Sequence, residues 1–179
     1  DALQKNPKVG PTRIVKFVSG RYARSWVKNV VAIGNASGFV EPLESTSLAF
    51  ICTEAVWLIE GLLDAERQIR PSVAGLFNKR VGKAWDVIRQ FLALHYKFND
   101  RLDTPFWRAC RSEVDLGRAQ AIVDYYTENG PGLFASGTLL PAYDMFGMEG
   151  YLTMLIGQRV PTQKTYEPSP RERQVWNEM

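Results

Sequence analysis

From Ser72 to about Lys97 the chain places Val73, Phe77, Val81, Ala84, Trp85, Ile88, Phe91, Leu92 and His95 at i, i+3, i+4 spacing. At a rise of about 1.5 Å per residue this pattern makes one amphipathic α-helix roughly 40 Å long, against which the rest of the chain has to pack. The preceding segment, about Thr46 to Glu66, has no Pro and is apolar nearly all round, as a buried helix is. Asp103-Thr104-Pro105 supplies an N-cap with Pro in the first turn, opening a short helix through Phe106, Trp107 and Cys110. Ser112-Glu113-Val114-Asp115 reads as a capping box for a helix running to about Asn129, where Gly130-Pro131-Gly132 stops it. Another helix is expected from Asp144 to Ile156, and Ser169-Pro170-Arg171-Glu172 caps a last one. Arg159 to Pro168 lies between them as a surface loop.

The amino end differs. RIVKFV (residues 13 to 18) and YARSW (22 to 26), joined at Ser19-Gly20, read as two strands of a hairpin. VVAIG (30 to 34) is a continuous apolar run that suits a strand buried on both faces of a parallel sheet. No second strand of that kind follows, so its neighbours lie outside this sequence or it pairs with the hairpin alone. The fold class is therefore mainly α with a small β portion.

Composition narrows the function. With 45% hydrophobic residues in 179, the chain supports a packed core. The net charge of +3 comes from 22 basic and 19 acidic side chains that are interspersed, so no nucleic-acid footprint stands out. The apolar runs Leu48 to Cys52 and Ala55 to Ile59 are broken by Glu54 and Glu60, short of the ~20 residues of a membrane span. A cytoplasmic location is expected. Cys52 and Cys110 have no metal-ligand spacing and are expected as buried thiols. His95 is the only histidine and the cysteines are not clustered, so no metal site is expected. Glu41 and Glu44 could pass for a paired-carboxylate dyad, but Pro42 between them argues against it.

The stretch AIGNASGFVEPLESTSL, Ala32 to Leu48, carries the chemistry. A strand ends at Gly34, a small-residue loop follows, and a helix begins near Thr46, which is where open α/β folds bind ligands. Small residues at 34, 36 and 38 let a ligand approach the backbone. The helix start offers the N–H groups of Thr46, Ser47 and Leu48 to an anion. The same residues also fit a helix simply capped by Ser45 or Thr46.

GNASGFVEPLEST resembles the thirteen-position G-x-A-x-G-F-x-E-P-L-E-S-T motif of the flavin-dependent tryptophan halogenases. His95-Tyr96 followed by Arg101-Leu102-Asp103-Thr104-Pro105-Phe106-Trp107 is similar to that family's second block, and SWVKNVVAIGNA to the run before its loop. The resemblance covers residues 12 to about 110 well. Beyond that, FGMEGYLTMLIGQRVP alone looks familiar.

The resemblance implies the carboxyl-terminal part of an FAD-dependent monooxygenase or halogenase-like fold, with residues 1–66 ending the FAD-binding module and 67–179 forming a helical substrate-side domain. It implies reduced FAD from a separate flavin reductase, a flavin hydroperoxide, and hypohalous acid acting on an electron-rich, indole-type aromatic, as a small molecule or within a peptide. Glu44 would be the catalytic carboxylate. The halide would rest on the backbone of Thr46 and Ser47, and Asn35 and Leu48 would contact FAD through the main chain. Ser47 stands where many members have glycine. The family's GxGxxG fingerprint and catalytic lysine have no counterpart here and are expected upstream, as the missing initiator Met also suggests. The isolated chain is thus expected to be inactive, with an uncovered apolar surface that drives self-association. Dimerisation stays open. A flavin hydroxylase and a non-enzymatic helical binding module are the alternatives.

Overall fold

The computed structural model describes residues 13–41, 43, 45–164 and 167–178. Four two-residue strands come first: β1 Gly20–Arg21, β2 Trp26–Val27, β3 Val30–Val31 and β4 Gly38–Phe39. Helices follow: α1 Thr46–Asp64, α2 Pro71–Lys97, α3 Pro105–Glu113, α4 Ala119–Asn129, α5 Ser136–Leu139, α6 Gly147–Gly157 and α7 Pro170–Glu178. The mainly helical expectation stands.

The long helix is α2. Pro71 sits in its first turn, where a missing N–H costs nothing, and His95 and Lys97 face the negative end of its dipole. Its amino-terminal half packs Phe77, Val81, Trp85 and Ile88 against Trp26 and Phe50. Its carboxyl-terminal half packs Phe91 and Leu94 with Leu116, Ile122, Tyr126, Met148, Tyr151 and Leu155 of the later helices. Thr104 caps α3, accepting from Trp107 N at 3.4 Å, and Ser169 with Glu172 forms the capping box of α7. Asp144 precedes α6, accepting from Phe146 N at 2.9 Å, Gly147 N at 3.1 Å and the Tyr151 hydroxyl at 3.0 Å.

Four expectations need correction. The hairpin is not 13–18 with 22–26. β2 pairs with β3 across Lys28-Asn29, with Lys28 in the left-handed region at φ 54°, while β1 pairs with β4. Val30 is 65% exposed, so VVAIG is no doubly buried strand; its only sheet partner among the described residues is that hairpin. The capping box at Ser112 does not form either. Ser112 belongs to α3 and bonds back to Arg108 and Ala109 carbonyls, while Asp115 accepts from Gly117 N at 2.8 Å and delays α4 to Ala119. A short polar side chain served the turn it was already in. Finally, Cys110 is buried but Cys52 is exposed.

Cys52 is exposed because only one face of α1 is covered: Phe50 and Glu54 are buried, whereas Leu48, Val56, Ile59 and Leu63 are 68, 52, 56 and 60% exposed. With Cys52 these residues step by three and four, one continuous stripe. By length and composition α1 could also cross a membrane, but its inner face holds a buried carboxylate side chain and packs on α2. Burying each apolar side chain of the stripe is worth about 1.5–3 kcal/mol, so the isolated chain is expected to self-associate through it. Ile59→Glu with Leu63→Glu should shift sedimentation toward monomer and reduce binding of an apolar dye. A monodisperse parent that binds no dye would sink this expectation.

Candidate functional site

The loop after β3 is built from the inside outward. Gly34–Ala36 forms a single 3-10 turn, with Ala36 N donating to Ile33 O at 3.2 Å and Ser37 N to Gly34 O at 2.8 Å. Gly34 and Ser37 point inward and are buried, while Asn35 and Ala36 are exposed. Gly34 adopts φ +54°, and a Cβ there would lie 2.2 Å from Ile51 Cγ1, so only glycine lets the turn press onto α1. The Ser37 hydroxyl meets the Ser25 hydroxyl at 2.7 Å and accepts from the Trp85 indole N–H at 3.2 Å. Asn78 of α2 holds the strand before the loop: its Oδ1 accepts from Ser25 N and Trp26 N, both at 2.7 Å, and its Nδ2 donates to Trp26 O at 2.9 Å.

Beneath the loop lies Glu54, a wholly buried carboxyl on α1 that accepts from Gly34 N. Burial raises its pKa above the usual carboxylate range, and the Gly34 N–H bond together with the nearby Ser37 hydroxyl and Trp85 indole pulls it partly back. Its Oε1 is also buried and has no hydrogen-bond partner among the described residues. The sequence reading treated Glu54 only as a break in an apolar run. A carboxylate four residues from Phe50 in a largely apolar helix was the available signal.

At the helix start, Ser45 is left-handed at φ 50°, ψ 23° and its side chain makes no cap bond. Capping by Ser45 therefore does not occur. Leu48 N donates to Ser45 O at 3.0 Å, and among the described residues Thr46 N and Ser47 N have no acceptor, as the first donors of an α-helix need not. Thr46 and Ser47 are half-buried and Leu48 is exposed. Glu44 lies outside the described residues.

Glu41 is half-buried. Its Oε2 accepts from Leu43 N at 2.7 Å and from the Tyr96 hydroxyl at 3.4 Å, tying the segment before α1 to the end of α2. Burial first, then the charge and hydrogen bond of Glu41, push the Tyr96 hydroxyl above the ordinary phenol range and keep it a donor. Tyr96 stacks on Trp107 at 5.9 Å, and Phe106 meets Trp107 edge-on at 5.1 Å. These rings, with Leu43, His95 and Met154, line a cavity of about 1000 Å³ whose rim carries Asp100, Arg101 and Arg159. The two sequence blocks thus meet: Leu43 of one and Tyr96, Phe106 and Trp107 of the other wall a single cavity. Among the described residues no group of three or more His, Cys, Asp or Glu side chains could hold a metal ion.

Residues 1–172 match the family described as tryptophan halogenase. The chain is 38% identical over 121 residues to the tryptophan 7-halogenase RebH of Lentzea aerocolonigenes, 68% of this chain and 22% of that protein. It is 42% identical over 110 residues to the tryptophan 6-halogenase ThaL of Streptomyces albogriseolus, 62% of this chain and 20% of that protein. Among solved structures, MibH, a lanthipeptide tryptophan 5-halogenase, superposes with a TM-score of 0.79 at 34% identity, covering 96% of this chain and 34% of MibH. The chain therefore spans about a fifth of the length of these curated relatives.

Proposed function

This chain belongs to the tryptophan halogenase family, and from that footing we propose that it forms part of the active centre of an FAD-dependent enzyme that halogenates an electron-rich, indole-type aromatic. The observation that carries the reading is the start of α1, where among the described residues Thr46 N and Ser47 N have no acceptor, together with a small-residue loop anchored on the same helix. Thr46 and Ser47 offer main-chain N–H groups and the positive end of a 19-residue helix to a halide. The side chain at 47 need not take part, so serine in place of glycine is tolerated.

The residues present fit one wall of a flavin site. Asn35 and Ala36 turn exposed main chain and small side chains outward, while Gly34, Ser37 and Gly38 are buried and fixed. Asn35 and Leu48 would hold FAD from this side. Reduced flavin and oxygen, the former from a flavin reductase, would supply the oxidising equivalents that turn halide into hypohalous acid. Glu44 would then face the aromatic substrate. The cavity beside Leu43, walled by Tyr96, Phe106 and Trp107, would receive that substrate ring or the residues flanking it. Its open, charged rim suits an indole carried on a peptide as well as a free amino acid.

The test uses the native full-length protein with FAD, a flavin reductase and bromide, with mass spectrometry on indole and tryptophan-peptide substrates. Brominated product is expected, and Glu44→Gln should cut its rate by about 100-fold or more while flavin still binds, the scale of losing a positioned carboxylate. Hydroxylated product without bromine would support the hydroxylase alternative. Absence of flavin binding would sink the reading altogether.

A further inference from the structure

The loop and the helix start do not touch the same turn of α1. Gly34 is seated on Ile51 and Glu54, while the donors at Thr46 and Ser47 lie about 6 to 12 Å away along the axis, four to eight residues at about 1.5 Å each. A ligand that reaches from the exposed Asn35–Ala36 main chain to the helix start depends on that offset. Ile51 limits how closely the turn can approach, but steric contact alone does not stop it from sliding. The directional contact from α1 is the Glu54 carboxyl, which accepts the Gly34 N–H. The groups facing Glu54 are that N–H from the loop, the Ser37 hydroxyl, and the Trp85 indole from α2. Arg21 and Asp86 on neighbouring elements are engaged with each other at 2.9 Å.

We infer that Glu54 is a positioning residue, which holds the Gly34–Gly38 loop in register with the start of α1 so that both can address one bound flavin and its halide. The inference rests on the function proposed above for the site, but the loop's anchoring can be measured without it. A carboxyl is an unusual choice for plain stability, because an apolar side chain of similar volume would fill the space without a desolvation cost. What an apolar side chain cannot do is accept the Gly34 N–H.

The experiment compares Glu54→Leu, which fills the site without an acceptor, with Glu54→Gln, which keeps one. Both are made in the native full-length protein, with Glu54→Ala replacing the leucine variant if that fails to fold. In Glu54→Leu, amide exchange across residues 33–38 is expected to quicken about tenfold against an unchanged β2–β3 hairpin. The dissociation constant for FAD should rise about tenfold and the KM for bromide with it, while Glu54→Gln stays within about twofold of the parent in each. A purely structural carboxyl would move the melting temperature and leave exchange and affinities alone. If Glu54→Leu leaves exchange and flavin affinity within about twofold of the parent, or if Glu54→Gln fails as badly as leucine, the inference falls. If the parent binds no flavin, the function proposed for the site falls instead, and loop exchange alone still decides whether Glu54 anchors the loop.

Discussion

Gly34→Ala is expected to destabilise the chain by about 2–5 kcal/mol and to abolish flavin binding. Two costs add. A non-glycine residue at φ +54° carries about 1–2 kcal/mol of left-handed strain, and forcing a methyl group into a filled space costs about 1–3 kcal/mol more. The space is filled by Ile51, whose Cγ1 and Cδ1 would lie 2.2 and 2.8 Å from the new Cβ. Moving the turn outward to relieve that clash withdraws the Gly34 N–H from Glu54 and leaves a buried carboxyl without its backbone donor. Urea unfolding measures the loss. Ile51→Ala in the Gly34→Ala background should recover the steric part and leave the backbone part, a coupling that two independent sites would not show. Gly75→Ala is the control: it lies in α2 with nothing within 4 Å of a Cβ, so it should stabilise by about 0.5–1 kcal/mol. A Gly34→Ala loss under about 1 kcal/mol would show that the turn is not held against α1 as described.

The elements most legible in the sequence were those fixed by a local pattern. α2 was readable from its apolar period and Pro71, and α3 and α7 from caps that form as written. The misreadings arose where one local rule competed with another. Ser112 could cap a following helix or bond back into its own, and the geometry of α3 settled the matter. The β-rich look of RIVKFV describes side-chain preference, but strand pairing depends on what lies opposite, and β1 found β4. The apolar girth of α1 suggested a buried helix, but only Phe50 and Glu54 of it are buried and the stripe from Leu48 to Leu63 is exposed.

The site shows the same division. Asn35, Thr46, Ser47 and Leu48 could be named because the roles proposed for them run through a contiguous motif and the main chain. Glu54, Ser37 and Asn78 could not, and Tyr96 could be placed in the second block but not paired with Glu41, since each acts across a long sequence separation, from Gly34 to Glu54, Ser25 to Ser37 and Asn78, or Glu41 to Tyr96. Periodicity says that position 54 faces inward with Phe50. It does not say that a backbone N–H from 20 residues earlier waits there.

Trp85 joins these two levels, and its removal should show the second large effect. The indole is 3% exposed, packs edge-on against Phe50 at 5.0 Å, and forms the surface on which Gly38 rests, 3.0 Å from where a Cβ would be. Trp85→Ala should therefore cost about 3–5 kcal/mol, the range for losing a large buried aromatic, and loosen both the core and the loop. Trp85→Phe isolates the polar part. It keeps most of the packing but removes the N–H that donates to Ser37 and favours the ionised form of Glu54. Glu54 has a folded pKa above its unfolded value, so its stabilising contribution is full below the ordinary carboxylate range and is lost as pH rises through the folded value. Losing the indole donor moves that folded value higher still and widens the pH span over which stability drains away. The cost of Trp85→Phe, about 1–3 kcal/mol, should thus be greater at neutral pH than at acidic pH, and Glu54→Gln should abolish the difference. Unfolding free energies for the two single variants and the double variant, each measured on both sides of the carboxylate range, decide it. A penalty independent of pH would mean that the indole holds Ser37 alone and that Glu54 titrates without reference to it.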